Sequence, residues 1–169
     1  MLLNKTTQDI IRVLLNEKER KLTLRELAAK AKVSLGMTVK ITAALESSRQ
    51  INKKRGISIV SVSKLLNGWA YTTSIYENAK LEFIAPERPQ YLIKKISTVL
   101  KKETYAFTLF SATEIVAPYV APNKVHLYVL KGTEQKISKL FGNNGILPAE
   151  EGNIVCYIVD ESHFYCSKE

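Results

Sequence analysis

The chain has 169 residues, 46% of them hydrophobic, which suits one large domain or two small ones with true cores and excludes a disordered chain. No apolar run reaches the roughly 18 residues of a membrane span. The opening "MLLNKTTQD" lacks a signal-peptide core, and two cysteines, Cys156 and Cys166, are too few for a disulfide framework, so the expected setting is the cytoplasm. The formal net charge of +9 lies wholly in residues 1–64, which hold 14 Lys and Arg against 5 Asp and Glu; residues 65–169 hold 11 of each. A basic module joined to a neutral one predicts double-stranded DNA as the partner of the first, and no membrane.

In chain order, Ile10, Ile11, Leu14 and Leu15 fall at helical spacing and predict a first helix. "TLRELAAKA" begins with Thr23 and places Glu26 three residues later, the spacing of a capping box, so a second helix should run to Ala31 or Lys32. Ser34 is a good N-cap for a third helix, with Thr38, Ile41, Ala44, Leu45 and Ser48 on the inner face. Leu35, Val39, Lys40 and Ala43 lie opposite, on a face with no acid before Glu46. "RQINK" and "ISIVSV" read as a pair of strands around a turn at Lys53, Lys54, Arg55 and Gly56, a tip that carries three cations and no neighbouring acid.

Three helices and a hairpin give the order of a winged helix-turn-helix over residues 1–64. In that arrangement Ser34, Leu35, Val39, Lys40 and Ala43 face the major groove, Lys53, Lys54 and Arg55 hold backbone phosphates, and Thr23 and Arg25 add a contact at the second helix. The stretch "TLRELAAKAKVSLGMTVKITAALESSRQI" is similar to the common pattern of winged-helix regulators, in which L-x-E-L-A marks the second helix and V-S-x-G opens the recognition helix. Many such proteins have glycine just before the first strand, where Arg49 and Gln50 stand here.

Residues 65–169 read as a mixed α/β domain with a central sheet, so the expected fold class is α+β. Leu65, Leu66 and Trp69 suggest a short helix packing back on the first domain. Then come a strand in "LEFIAP", a helix in "ERPQYLIKKISTVLKK", a strand in "TYAFTLF", a helix in "SATEIVAPYV" ending near Pro118, a strand in "KVHLYVL", a helix in "TEQKISKLFG" and a fully buried strand in "NIVCYIVD".

The succession "GWAYTTSIYENAKLEFIAPERPQYLIKKI", "YAFTLFSATEIVAPYV" and "KVHLYVLKG" behind a winged helix resembles the antitoxin and transcriptional-regulator family of the abortive-infection type IV toxin–antitoxin systems, over about residues 7–166. The resemblance implies an operon autorepressor that opposes a nucleotidyltransferase toxin acting in the same system without direct inhibition. Solitary ligand- or partner-responsive winged-helix transcription factors share the architecture. A palindromic footprint would imply a homodimer.

Enzymatic chemistry finds little support. The chain has two aspartates, Asp9 and Asp160, too few for the paired carboxylates of two-metal phosphoryl transfer. There is no P-loop and no G-x-G-x-x-G, and "FGNNG" at 141–145 reads as a loop after a helix. Cys156, His163 and Cys166 fit no zinc spacing, and His126 alternates within a strand as a packed or surface histidine. No catalytic residue, metal or cofactor is expected.

Overall fold

The computed structural model describes residues 4–71, 74–119 and 121–164. The fold is α+β, and its contacts separate a unit reaching Ser74 from a second unit, Ile75–Phe164.

The first unit comprises α1 (Lys5–Asn16), α2 (Leu24–Ala31), α3 (Leu35–Ser47), a hairpin of β1 (Ile51–Asn52) and β2 (Ser58–Ile59), and α4 (Val62–Ala70). Each of the first three helices begins at a side chain that accepts a backbone N–H: Asn4 from Thr7, Thr23 from Glu26, Ser34 from Met37. Such caps occupy donors that have no partner within the helix. Ile10, Ile11 and Leu14 of α1, Leu27 of α2, and Ile41 and Leu45 of α3 form one core with Ile51, Ile57 and Leu65. Thr38 and Thr42 are fully buried in α3 without leaving a hydroxyl unsatisfied, because Thr38 donates to the Ser34 carbonyl at 3.0 Å and Thr42 to the Val39 carbonyl at 3.1 Å.

The hairpin is shorter than its β-branched sequence suggests. β2 stops at Ile59, and Ser61 turns the chain into α4 by accepting from the Lys64 N–H. Ahead of α2, Leu22 forms a two-way backbone bridge with Ile57, fastening the hairpin to the helices. α4 places Leu65 in the core, and Arg12 lies 4.9 Å over the Trp69 ring, while Leu66 is exposed. The unit therefore extends to Ser74 and does not end at Lys64, because α4 completes its core.

The second unit carries β3 (Lys80–Ile84), α5 (Pro89–Val99), β4 (Tyr105–Phe107), α6 (Leu109–Val116), β5 (Val125–Leu130), α7 (Glu134–Gly142), β6 (Leu147–Pro148) and β7 (Ile154–Val159). The sheet order is β4-β5-β7-β3-β6; β5 and β7 run parallel and the other neighbours antiparallel. Val125, Leu127 and Val129 alternate with partly buried neighbours along β5, and their buried row joins Phe83, Ile154 and Cys156 with Leu92, Ile93 and Ile96 of α5 and Ile137 and Phe141 of α7. Phe83 meets Phe141 edge to face, centroids 5.0 Å apart. Gly152 is required beneath this core, since a Cβ there would stand 2.0 Å from the Phe83 carbonyl oxygen.

Two readings of this unit are corrected. The strand expected through "TYAFTLF" ends at Phe107; Leu109 takes a left-handed φ of 51° and starts α6, whose Ser111 hydroxyl accepts from the His126 N–H at 2.8 Å. The loop after α7 supplies β6, a short edge strand with no hydrophobic alternation to announce it.

Candidate nucleic-acid interface

α2 and α3 are joined by a turn in which Lys32 adopts a left-handed φ of 54°, and the Val33 N–H reaches back to the Ala28 carbonyl at 3.0 Å. This closure satisfies the free carbonyls at the end of α2 and re-aims the chain within two residues. Thr23 and Glu26 make the full reciprocal box: the Glu26 N–H donates to Thr23 Oγ1 at 3.2 Å and the Thr23 N–H to Glu26 Oε2 at 2.8 Å. The bonds from Thr23, with Arg20 and Lys30 nearby, hold the Glu26 carboxyl below the usual range. Thr23 therefore serves first as a cap, and Arg25, the second residue of α2, is exposed.

Burial in α3 falls on Thr38, Ile41, Thr42 and Leu45. Ser34, Leu35, Val39, Lys40 and Ala43 are all exposed, so the helix brings five of the expected site residues to its solvent face. Thr42, which the expected inner face omitted, is buried, whereas Ser48, which it included, is exposed. No acid lies in the first turn of α3, and its N-terminal backbone N–H groups are the positive end of the helix.

α3 ends in a left-handed residue of its own. Arg49 has φ 55° and donates its N–H to the Glu46 carbonyl, while the Gln50 N–H reaches the Leu45 carbonyl at 2.9 Å. Arginine thus adopts the conformation that glycine supplies at lower strain in comparable turns. Beyond it, Asn52 Oδ1 accepts the Lys54 N–H at 2.8 Å, Arg55 is left-handed at φ 56°, and Gly56 follows at φ 105°. Glycine is needed at Gly56 on two counts, its positive φ and a clearance of 3.1 Å between its missing Cβ and Lys21 Cβ.

The tip is not without an acid. Glu46 turns back from α3 onto Lys53, its Oε1 accepting the Lys53 N–H at 3.2 Å and its Oε2 standing 3.4 Å from Nζ. Lys53 is partly buried, and of the three cations Lys54 and Arg55 are the exposed ones. Seven residues separate Glu46 from Lys53, and the left-handed turn at Arg49 is what brings them together. Among the described residues no carboxylate forms an ion pair with Arg25, Lys40, Lys54 or Arg55.

His126 stacks on Tyr157 at 5.9 Å, and burial followed by the Lys124 charge lowers its pKa. Cys156 is fully buried with its thiol pushed up by burial, and Cys166, a member of the discounted metal set, lies outside the described residues. Among the described residues no three His, Cys, Asp or Glu side chains gather as a metal site, and no helix is long and apolar enough to cross a membrane. An open groove of about 330 Å³ runs between β3, β6 and α7, but its Lys80 and Glu82 pair with each other. Comparisons of the chain with protein-family models, curated proteins and solved structures found no match in any of the three.

Proposed function

We propose that the chain is a sequence-specific regulator of double-stranded DNA, with its first unit acting as a winged helix-turn-helix. α3 would be the recognition helix, and the hairpin from Ile51 to Ile59 the wing. The observation that carries this reading is the acid-free outer face of α3, which carries Lys40, on a segment that holds the whole +9 charge and also exposes Arg25, Lys54 and Arg55. Such a face accepts a phosphate-lined groove with little electrostatic cost, whereas an exposed face of a solvated helix usually mixes both signs. Ser34, Leu35, Val39, Lys40 and Ala43 would meet bases or groove wall; Lys54, Arg55 and, more weakly, Lys53 would hold phosphates. Thr23 and Arg25 would add a backbone contact at α2.

The resemblance to type IV antitoxins makes an autorepressor the preferred regulator, paired with a nucleotidyltransferase that it opposes without binding. Titrating the full chain onto the duplex upstream of its own gene, with a random duplex of equal length as reference, tests the DNA reading. Tighter binding to the upstream duplex is expected, and equal binding to both would refute sequence specificity. Growth rescue of cells expressing a neighbouring nucleotidyltransferase, without co-purification, tests the antitoxin reading. One feature favours a partner-responsive regulator as the second reading: α6 and the segment after it expose Phe110, Ile115, Val116 and Tyr119. Operator release by a protein encoded elsewhere, with no toxin neighbour, would select it.

A further inference from the structure

The outer face of α3 has a restricted chemistry. Its exposed residues from Leu35 to Ala43 are Leu35, Gly36, Met37, Val39, Lys40 and Ala43. None is Asn or Gln, which pair in two-point fashion with adenine, none is Arg, which does so with guanine, and none is Asp or Glu, which accept from cytosine. Of the four bases, thymine alone offers an apolar group in the major groove, its 5-methyl. Val39 is 42% exposed and Leu35 44%, so both present carbon surface that the protein itself does not cover.

Gly36 adds an independent observation. A Cβ at this position would meet nothing within 4 Å, and no left-handed φ calls for glycine there. Gly36 is the second residue of α3, and neither packing within the unit nor backbone conformation gives a reason for glycine there. Gly36 and Ala43 lie seven residues apart, two helical turns, on the same outward line with Lys40 between them. Gly36 and Ala43 leave room for a surface to come close to the helix backbone at either end of that line, and Lys40 between them favours an anionic one.

We propose that α3 selects thymine-rich DNA through 5-methyl groups, which seat against Val39, Ala43 and Leu35, with Lys40 giving a hydrogen-bonded contact to guanine. This rests on the DNA-binding reading above and assigns the class of base pair that the same face recognises. Specificity then comes from carbon contact and close approach, not from a code of paired hydrogen bonds.

The test uses the full chain and a random duplex pool. The sequences it enriches are resynthesised with deoxyuridine in place of thymidine, which removes the 5-methyl and leaves every hydrogen-bonding edge unchanged. Enrichment of thymine runs is expected, with affinity falling roughly fourfold for each contacted methyl removed. The surface variant V39S, checked for native circular dichroism, should bind the thymine and uracil duplexes alike at the position Val39 covers. Equal affinity of the unmodified protein for both duplexes, with enrichment intact, overturns the methyl assignment alone. A uracil penalty undiminished in V39S traces the effect to duplex shape and also overturns it. No enrichment of any sequence overturns sequence-specific DNA binding and this assignment together.

Discussion

The second unit sets Lys80 against Glu82, Lys95 against Glu87 and Lys136 against Glu103. It leaves Lys94, Lys101, Lys102, Lys131 and Lys139 exposed without an ion pair among the described residues, just as the first leaves Arg25, Lys40, Lys54 and Arg55. What differs is that residues 1–64 hold 14 cations against 5 carboxylates and residues 65–169 hold 11 of each. The first unit does form ion pairs, but elsewhere: Lys30 with Glu17 and Arg20 with Glu26 tie α2 to the end of α1. Of its other carboxylates, Asp9 pairs with Arg12 within α1, Glu19 with Lys18 and Glu46 with Lys53, and the outer face of α3 carries none before Glu46. The total charge, together with the acid-free outer face of α3, is therefore what sets the first unit apart from the second.

The largest effects should come from the cores. Phe83→Ala removes the aromatic packed on Phe141 and should cost the second unit about 3–5 kcal/mol, and Ile10→Ala should cost the first about 2–5 kcal/mol. Calorimetry is expected to show two transitions, each variant lowering one. If each variant shifted both equally, the separation into two units would be structural but not energetic.

The next effect concerns charge. Replacing Lys54 and Arg55 together by alanine should flatten the dependence of log affinity on log salt by about 1.8, at roughly 0.9 per phosphate. Adding Lys53→Ala should change it by less than one further phosphate, because Glu46 already engages that ammonium. Lys94→Ala with Lys101→Ala in the second unit should leave the slope unchanged, and a matching loss there would erase the contrast between the units.

Glu46→Gln sharpens the same point in the opposite direction. The amide oxygen can still accept the Lys53 N–H, whereas the ion pair is lost, so Lys53 becomes available to a phosphate. Binding to random duplex should strengthen and the salt slope should steepen by up to about 0.9. Weaker binding to random duplex would mean that the carboxylate mainly holds the hairpin in shape.

Acid should distinguish the units more gently. Both histidines, His126 and His163, belong to the second unit, and burial holds the pKa of His126 below its ordinary value. A group whose folded pKa is depressed binds more protons when unfolded, so stability rises with pH across the gap and is lost as pH falls below about 6.5. Comparing the two melting transitions at pH 7.5 and 5.5 should show the second shifting more, and His126→Gln should reduce the difference.

Much of the fold is legible in the sequence where one local signal decides it. Thr23 with Glu26 marks the start of α2, Ser34 that of α3, and the alternation Val125, Leu127, Val129 gives β5 with its inner face. Signals failed where distant partners decide. Ser61 caps a helix inside a β-branched run, Leu109 turns left-handed in what reads as a continuing strand, and β6 exists because β3 offers it an edge. In the candidate site, the exposed face of α3 follows from helical spacing, while the clasp of Glu46 on Lys53 does not, since it depends on a left-handed arginine that sequence patterns reserve for glycine.

Lys32, Arg49 and Arg55, all cations, are the non-glycine residues of the first unit that hold a positive φ among the described residues. Each left-handed turn costs an ordinary side chain roughly 1 kcal/mol that glycine would avoid, part of it recovered through the stiffer unfolded chain. Exchanging all three for glycine should therefore raise the melting temperature of this unit slightly while removing three positive charges, an exchange of function for durability that a thermal shift and a DNA titration would read side by side. The turns of this unit carry charge as well as direction, and a search for stabilising substitutions would erase its electrostatics first.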